Sequence, residues 1–236
     1  MHKGTHIEKI PYLIFFFFFL NQQEKRIDVR QISIGVLGDL VVNAFERVRP
    51  TLPQFMPLLF DNLFADYVSV CNNTSWTIGE ISVRWGNDFK PFIPTAMAKL
   101  MAILTRPNLN RRLKENIAIT IGRFGLAHPQ ETALYLDKFL VDWCNVLRKM
   151  EDSEDKEAAI RGLYNLLKLQ PNMLTQNFIL IAMTVISFEQ PTEALKNLYG
   201  PVFQSLKNSV TTQQWDHQLE KFPNLKILLT SKYGLM

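Results

Sequence analysis

The stretch VCNNTSWTIGEI, residues 70–81, recurs along the chain. It aligns with VRQISIGVLGDL at residues 29–40, with LKENIAITIGRF at residues 113–124 and, more faintly, with DKEAAIRGLYNL at residues 155–166. The glycines at the same place in each copy, Gly38, Gly79, Gly122 and Gly162, are 41, 43 and 40 residues apart. This period is typical of helical-pair solenoids of the HEAT and armadillo kind. The repeats therefore predict an all-α fold, a HEAT-repeat solenoid in which antiparallel helix pairs stack into a superhelix.

Prolines and loop residues divide each repeat into two helices. The apolar segments at residues 51–64 and 90–104 precede the second and third copies and carry proline near the start, where a helix tolerates it. A longer first helix is predicted over residues 129–150, followed by an acidic loop at residues 151–155. Further helices are predicted over residues 176–188, 191–208, 212–221 and 224–232. Each copy of the repeated stretch is then the second helix of a pair.

The composition indicates a packed protein without catalytic chemistry. Hydrophobic residues make up 47% of the chain and charged residues 20%, and the formal net charge is +4. Cys71 and Cys144 stand far apart with no metal-ligand spacing around them, so neither a zinc site nor a disulfide framework is predicted. The four histidines are scattered, and no nucleophile–base motif or phosphate-binding glycine loop occurs. We therefore predict that the chain is not an enzyme and needs no cofactor.

The beginning of the chain differs from the rest. Residues 1–22 are interpreted as a divergent, non-native segment, and residues 23–236 as the solenoid. Within the first segment, IPYLIFFFFFL at residues 10–20 is too short to cross a hydrocarbon layer of about 30 Å, and no small-residue cleavage site follows it. In the first repeat, the second helix of the pair is predicted to begin at residue 28, and no recognisable partner helix precedes it. Residues 10–20 are one candidate to cover that open end of the stack.

One face of each second helix is mainly polar. The positions seven before, three before and one after the glycine share this face, which we predict to be exposed to solvent. In solenoids of this class the second helices line the concave surface. Trp76 and Ile119 interrupt the stripe at the same place in adjacent repeats, whereas Asp39, Glu80 and Glu115 are expected to place acid on it.

The sequence leaves two interpretations of Trp76 open. An exposed tryptophan beside an isoleucine is a good anchor for an apolar side chain of a bound peptide. Alternatively, the indole packs across to a neighbouring second helix. Asn72, Asn73 and Asn116 lie nearby, and their amides either bind a peptide backbone, cap turns or face water.

Two other classes of binding protein compete with a peptide receptor. A nucleic-acid-binding solenoid is favoured by the net charge and by the cluster Arg111, Arg112 and Lys114, although the start of a solvated helix explains that brief cluster equally well. The other is a generic scaffold that joins proteins through its outer face. Binding that depends on Trp76 and changes little with salt would exclude both.

Several motifs resemble a known family in order and in spacing. They are DVRQISIGVLGDL at residues 28–40, QFMPLLFDNL at 54–63, VCNNTSWTIGEISV at 70–83, NIAITIGRFG at 116–125 and the ending KYGL at 232–235. Together they closely resemble the C-terminal HEAT repeats of the transportin family of karyopherin-β nuclear import receptors. The resemblance covers residues 23–236, whereas residues 1–22 resemble nothing in the family.

The resemblance implies a site and a set of partners. Trp76 matches the family's C-terminal cargo-binding tryptophan, and the residues that surround it in the cargo site match Gln31, Val68, Asn72, Asn116 and Ile119. There the family receives the N-terminal, hydrophobic or basic part of a proline-tyrosine nuclear localisation signal. Nucleoporins and the small GTPase Ran are further implied partners, and the cytoplasm and nucleus are the implied locations. In the family, the main Ran-binding repeats, the acidic loop that releases cargo and the proline-tyrosine pocket lie upstream of the part that this chain resembles.

Overall fold

The regular structure is helical throughout the part of the chain that can be described. The structure is a computed structural model, and it describes residues 26–235. The predicted boundary after residue 22 and the apolar run at residues 10–20 lie outside these residues. Within residues 26–235 the chain forms α-helices and short 3-10 segments and no strand, which confirms the predicted all-α class.

First helices and second helices of the repeats follow one another along the chain. They are α1 Ile27–Asn43, α2 Phe45–Val48, α3 Leu52–Asp61, α4 Val68–Trp85, α5 Ile93–Leu104, α6 Arg111–Ala127, α7 Pro129–Ala133, α8 Leu136–Leu147, α9 Glu154–Leu169, α10 Pro171–Gln176, α11 Phe178–Ile186, α12 Glu193–Asn208, α13 Thr212–Leu219 and α14 Pro223–Tyr233. The 3-10 segments Arg49–Thr51 and Gly86–Phe92 lead into α3 and towards α5. The second helices of the repeats are α1, α4, α6 and α9, as the repeated stretches predict.

The second helices pack side by side in series, α1 on α4, α4 on α6 and α6 on α9. The repeated glycines lie where these helices meet. A Cβ on Gly122 would lie 2.5 Å from the backbone of Ala159, and one on Gly125 would lie 2.9 Å from the carbonyl oxygen of Gly162. Only residues without a side chain permit such close approach of two helix backbones. The glycine that anchors each repeat in the sequence is therefore a packing residue between repeats.

One predicted helix is divided by a bend, and one short helix was not predicted. The segment predicted as one helix over residues 129–150 is α7 followed by α8, with Leu134 and Tyr135 between them. The helix α10 was not predicted, because the helix predicted in this part of the chain begins at residue 176 and corresponds to α11. The bend between α7 and α8 keeps Ala133 and Leu136, on its two sides, buried while Leu134 is exposed. Helical periodicity alone does not reveal such a bend, because each half keeps an apolar face.

The acidic loop predicted at residues 151–155 is partly helical. The side chain of Ser153 accepts a hydrogen bond from the backbone N–H of Lys156 at 3.2 Å and so caps α9. Glu154 and Asp155 then occupy the first turn, where negative charge is favourable beside the free N–H groups of a helix start. The loop is therefore shorter than predicted, and only Glu151, Asp152 and the cap lie before the helix.

Candidate functional site

Trp76 lies in the middle of α4 and is partly exposed. Its indole is packed against the neighbouring second helix, α1. A Cβ added to Gly38 would lie 2.8 Å from the Cε3 atom of the ring, so the ring fills the space that a side chain at Gly38 would need. The indole is thus held in place by the packing and still presents part of its surface. The packing across to a neighbouring second helix, which one interpretation predicted, is present. The other interpretation, an anchor for a bound peptide, requires the part of the indole that remains exposed.

The prediction that the stripe around Trp76 is exposed to solvent was wrong in part. Asp39 and Asp155 at its ends are exposed, whereas Ile119 is half-buried and Glu80 is buried. The physical reason is the close packing of the second helices, because residues of the stripe on adjacent helices contact each other. We use the term second-helix face for this surface of α1, α4, α6 and α9.

A concavity of about 520 Å³ brings together three of the predicted site residues. Gln31, Val68 and Asn72 line it, and Tyr67 and Arg112 are among the other lining residues. The walls therefore combine apolar surface with amide groups that can donate and accept hydrogen bonds. Such walls suit a polypeptide segment, which presents both backbone amides and side chains.

Ile119 lies in a second concavity, of about 490 Å³. Met150 contributes apolar surface there, and the start of the acidic loop, including Glu151, forms part of the wall. Arg112 lines both concavities, which makes it the residue shared by the two. Trp76 and Asn116 line neither of them. Sequence analysis missed Arg112 and the acidic wall as site residues, because only the fold brings the loop after α8 beside Ile119.

Asn116 links two neighbouring second helices, because its side chain bonds to Asn72. Its side-chain N–H group donates to the side-chain oxygen of Asn72 at 2.9 Å and to the backbone oxygen of Asn72 at 3.2 Å. Asn73 occupies the same place in the preceding repeat and donates to the backbone oxygen of Gln31 at 3.0 Å. Asn116 therefore orients Asn72: it occupies the side-chain oxygen, so the amide N–H group of Asn72 is the one left to donate to a ligand.

Threonines continue this series of bonds one turn further along each helix. Thr77 donates to the backbone oxygen of Ile34 at 3.2 Å, and Thr120 donates to that of Ser75 at 2.9 Å. A helix carbonyl already accepts a bond within its own helix, and its second lone pair accepts the hydroxyl. The repeated spacing Asn-x-x-x-Thr at Asn73 and at Asn116 was the sequence signal that identifies these residues as links between second helices.

Ion pairs compensate most of the acid on the second-helix face. Glu80 pairs with Arg123 of the next second helix at 2.8 Å and also with Arg84. Arg123 pairs in addition with Asp155 at 3.2 Å, and Glu115 pairs with Arg111 at 2.7 Å. The predicted acidity of the stripe was therefore overestimated, because the sequence shows which residues are acidic but not which arginines reach them. Within residues 26–235, Asp39 makes no ion pair.

Of the two histidines within the described range, His128 is a buried packing residue and His217 lies at the surface. His128 is buried between α6 and α7, donates to the backbone oxygen of Ser82 at 2.9 Å and stacks on Phe89. Burial lowers the pKa of its imidazole. His217 is exposed and lies 3.3 Å from Glu220. Across residues 26–235 no three histidine, cysteine or acidic side chains are grouped as a metal site would need, and no helix combines the length and the apolarity of a membrane span.

Comparison with known proteins gives clear relatives. The chain is 39% identical to Transportin-1 of Mus musculus and of Homo sapiens over 214 residues. The matched residues cover 90% of this chain and 24% of each relative. Transportin of Dictyostelium discoideum is 32% identical over 209 residues, covering 88% of this chain and 22% of that protein. The chain thus spans about a quarter of the length of these relatives.

Comparison of structures supports the fold alone. A crystal structure of an engineered protein superposes with a TM-score of 0.54 at 13% identity, over 94% of this chain and 97% of that one. No family model matches the sequence. The relationship therefore rests on the sequence identity to the curated relatives.

Proposed function

Because this chain belongs to the transportin family of karyopherin-β proteins, we propose that it binds the nuclear localisation signals of cargo proteins on its second-helix face, as part of a nuclear import receptor. The observation that carries this proposal is the position of Trp76. Its indole is partly exposed and fixed over Gly38, one helical turn from Asn72 in the first concavity. Ile119 occupies the matching place on the next second helix and lines the second concavity.

The mechanism is recognition of an extended peptide in a groove. A disordered signal loses conformational entropy when it binds, so its affinity depends on a few strong anchors. Trp76 and Ile119 would contact apolar side chains of the signal, and the amide N–H of Asn72 would donate to a backbone carbonyl of the peptide. Glu151 in the wall of the second concavity would attract basic residues beside the apolar anchor. No covalent chemistry is involved.

The same proposal includes the partners and locations that the family relationship suggests. The cargo class is a basic signal of the proline-tyrosine type, and this chain would bind its N-terminal part. Nucleoporins and Ran would be partners of the complete receptor, which would act in the cytoplasm and the nucleus. A role as a generic scaffold or as a nucleic-acid-binding solenoid is the alternative that the experiment has to separate.

The test is calorimetric titration of the full chain with a basic proline-tyrosine localisation peptide at two salt concentrations. We expect Trp76→Ala to weaken binding by about 1–3 kcal/mol, which is the range for a central aromatic anchor. Leu134→Ala is the matched control, because Leu134 is an exposed apolar residue between α7 and α8, away from the second-helix face.

Three results would contradict the proposal. The first is that the peptide does not bind the wild-type chain, and the second is that Trp76→Ala binds it as well as Leu134→Ala and the wild type do. Binding that falls steeply with salt and is the same for single-stranded RNA would favour the nucleic-acid alternative. Circular dichroism of Trp76→Ala guards against a loss of affinity that results only from unfolding.

A further inference from the structure

Arg112, the second residue of α6, is an exposed arginine without an ion pair. No acidic side chain within residues 26–235 forms an ion pair with it. Its neighbour Arg111, by contrast, pairs with Glu115 at 2.7 Å and donates to the backbone oxygen of Lys149 at 3.3 Å. The charge of Arg112 is therefore available to a ligand in either of the two concavities that it lines.

Within the first concavity the acid is already paired. Asp66 is the acidic residue among those that line it, and its carboxylate lies 2.6 Å from the guanidinium of Arg106. Arg112 is the basic residue among the same lining residues. The wall of the first concavity therefore has one uncompensated positive charge, which favours a negatively charged group of a ligand.

Two asparagine side chains present hydrogen-bond donors in the first concavity. The side-chain oxygen of Asn72 accepts from Asn116 at 2.9 Å, and that of Asn110 accepts from the backbone N–H of Leu113 at 3.2 Å. Because both oxygens are occupied, the NH2 group of each amide is what remains for a ligand. Asn73 is the exception, since its NH2 group donates to a neighbouring backbone oxygen. A ligand in this concavity therefore has to supply acceptors.

The second concavity has a different balance of charge. Glu151 lines it and makes no ion pair with any of the described residues, Arg112 included. Asp152, which also lines it, pairs with Lys156 at 2.9 Å. The uncompensated charge along the second-helix face thus changes from positive beside α4 to negative beside the start of α9.

We propose that Arg112 is a specificity-determining residue, which binds a carboxylate side chain of the localisation signal at the first concavity. A planar guanidinium can donate two parallel hydrogen bonds to one carboxylate. The NH2 groups of Asn72 and Asn110 add further donors in the same concavity. A basic residue of the signal is repelled there and is directed towards Glu151. This inference rests on the proposed binding of localisation signals, to which it adds an order of charges along the signal.

The spacing of the second helices limits where the carboxylate lies in the signal. Packed helices are about 8–10 Å apart, and an extended peptide rises about 3.3 Å per residue, so the signal advances about three residues per repeat. One to two repeats separate the first concavity, beside α4 and α6, from Glu151 before α9. The carboxylate is therefore expected about three to six residues from the basic residues that Glu151 attracts.

The experiment is calorimetric titration of the full chain with pairs of basic proline-tyrosine localisation peptides. The two peptides of a pair differ only in a glutamate or a glutamine, which is placed in turn at each of these spacings on both sides of the basic residues. At one position we expect the glutamate peptide to bind about fivefold more tightly, as for an exposed ion pair of good geometry. Arg112→Gln should remove this preference.

Arg161→Gln is the matched control and should keep the preference for glutamate. Arg161 is an exposed arginine on α9 that makes no ion pair within residues 26–235 and lines neither concavity. A reversal of charge should give the complementary result, so that Arg112→Glu prefers a lysine at the position where the wild type prefers glutamate. Circular dichroism of each variant confirms that the helices are intact.

Three outcomes would overturn the proposal. The first is equal binding of the glutamate and glutamine peptides by the wild type at every position, which leaves the proposed function intact if that binding still depends on Trp76. The second is a preference for glutamate that survives in Arg112→Gln, which assigns it to another group. The third is that no peptide binds the wild type, which removes the proposed function and this inference with it.

Discussion

The indole of Trp76 occupies the space that a side chain at Gly38 would fill, across the interface between α4 and α1. The tryptophan is therefore positioned by the absence of a side chain on the neighbouring helix. Gly38, which lies outside the candidate site, therefore affects the orientation of Trp76, the main aromatic side chain of that site. It also explains why glycine stands at the anchor of the first repeat.

Gly38→Ala should displace the indole of Trp76. The new methyl group would meet the ring and the hydroxyl of Thr77, and overpacking of this kind costs about 1–3 kcal/mol. Trp76 is the partly exposed one of the four tryptophans, since Trp85, Trp143 and Trp215 are buried. Quenching of tryptophan fluorescence by acrylamide should therefore increase, and chemical denaturation should show the loss of stability.

A double-mutant cycle provides the control for this prediction. Gly38→Ala should cost less free energy of unfolding in a Trp76→Ala background, because the ring that it meets is gone. Equal costs in the two backgrounds would mean that the destabilisation comes from Thr77 or from the helix itself, and that Gly38 does not position Trp76.

Asn116→Ala should weaken peptide binding without contact between Asn116 and the peptide. The change removes the donor that holds the side-chain oxygen of Asn72, at a cost of about 1 kcal/mol in stability. Thr120→Val is the matched control, because it removes another bond between α4 and α6, to Ser75, without touching Asn72. We expect similar losses of stability by denaturation from both changes, but reduced calorimetric affinity only for Asn116→Ala. Equal affinities would show that the orientation of Asn72 is unimportant.

The sequence predicted the features that depend on spacing within one repeat. The glycine anchors and the helix pairs follow from periodicity, and the positions of Gln31, Val68 and Asn72 follow from the resemblance of the motifs. Features that depend on pairs about 40 residues apart were not predictable. The burial of Glu80 requires Arg123 of the next repeat, and the use of Asn116 requires Asn72 of the previous one. A repeat pattern predicts the position of each residue within its own repeat. It does not predict which side chain of a neighbouring repeat that residue contacts.

The stability of the chain should fall as the pH decreases below about 6.5 because of His128. Burial lowers the pKa of its imidazole from the ordinary value of 6.5, against the opposing effects of the bond to Ser82 and of Glu131. Its Nε2 donates to Ser82, and its buried Nδ1 has no hydrogen-bond partner within the described residues. Protonation would place an unpaired donor in the core. Below pH 6.5 the unfolded chain therefore binds more protons than the folded one, and stability is lost as the pH falls.

Denaturation of His128→Gln between pH 5 and 7.5 checks this sign. Glutamine can still donate to the oxygen of Ser82, but it does not titrate, so the variant should have a flatter pH profile. His217→Gln is the control for the replacement of an exposed histidine, because His217 lies at the surface on α13. A profile of His128→Gln as steep as that of the wild type would assign the pH dependence to other groups.

Lys156 should be the most costly of the charged residues on α9 to replace. Its ammonium group is buried and donates to the backbone oxygens of Met150 and Ser187 at 2.9 and 3.2 Å and to the carboxylate of Asp152 at 2.9 Å. Lys156→Met would leave these acceptors without their donor, at a cost of about 2–4 kcal/mol. Lys168→Met, on the same helix but exposed, is the control, and thermal denaturation measures both.

Asp152, the ion-pair partner of Lys156, should make the stability of the fold depend on acidic pH. Burial alone would raise the pKa of Asp152, but the hydrogen bonds from Lys156 and from the backbone N–H of Glu189 outweigh it, and the pKa is lowered from 3.8. A lowered pKa stabilises the fold above the ordinary value, and this contribution is lost as the pH falls through the lowered one. In Lys156→Met the main donor is absent, so the loss of stability between pH 5 and pH 3 should be smaller than in the wild type. An unchanged acid profile in the variant would mean that Glu189, and not Lys156, determines the pKa of Asp152.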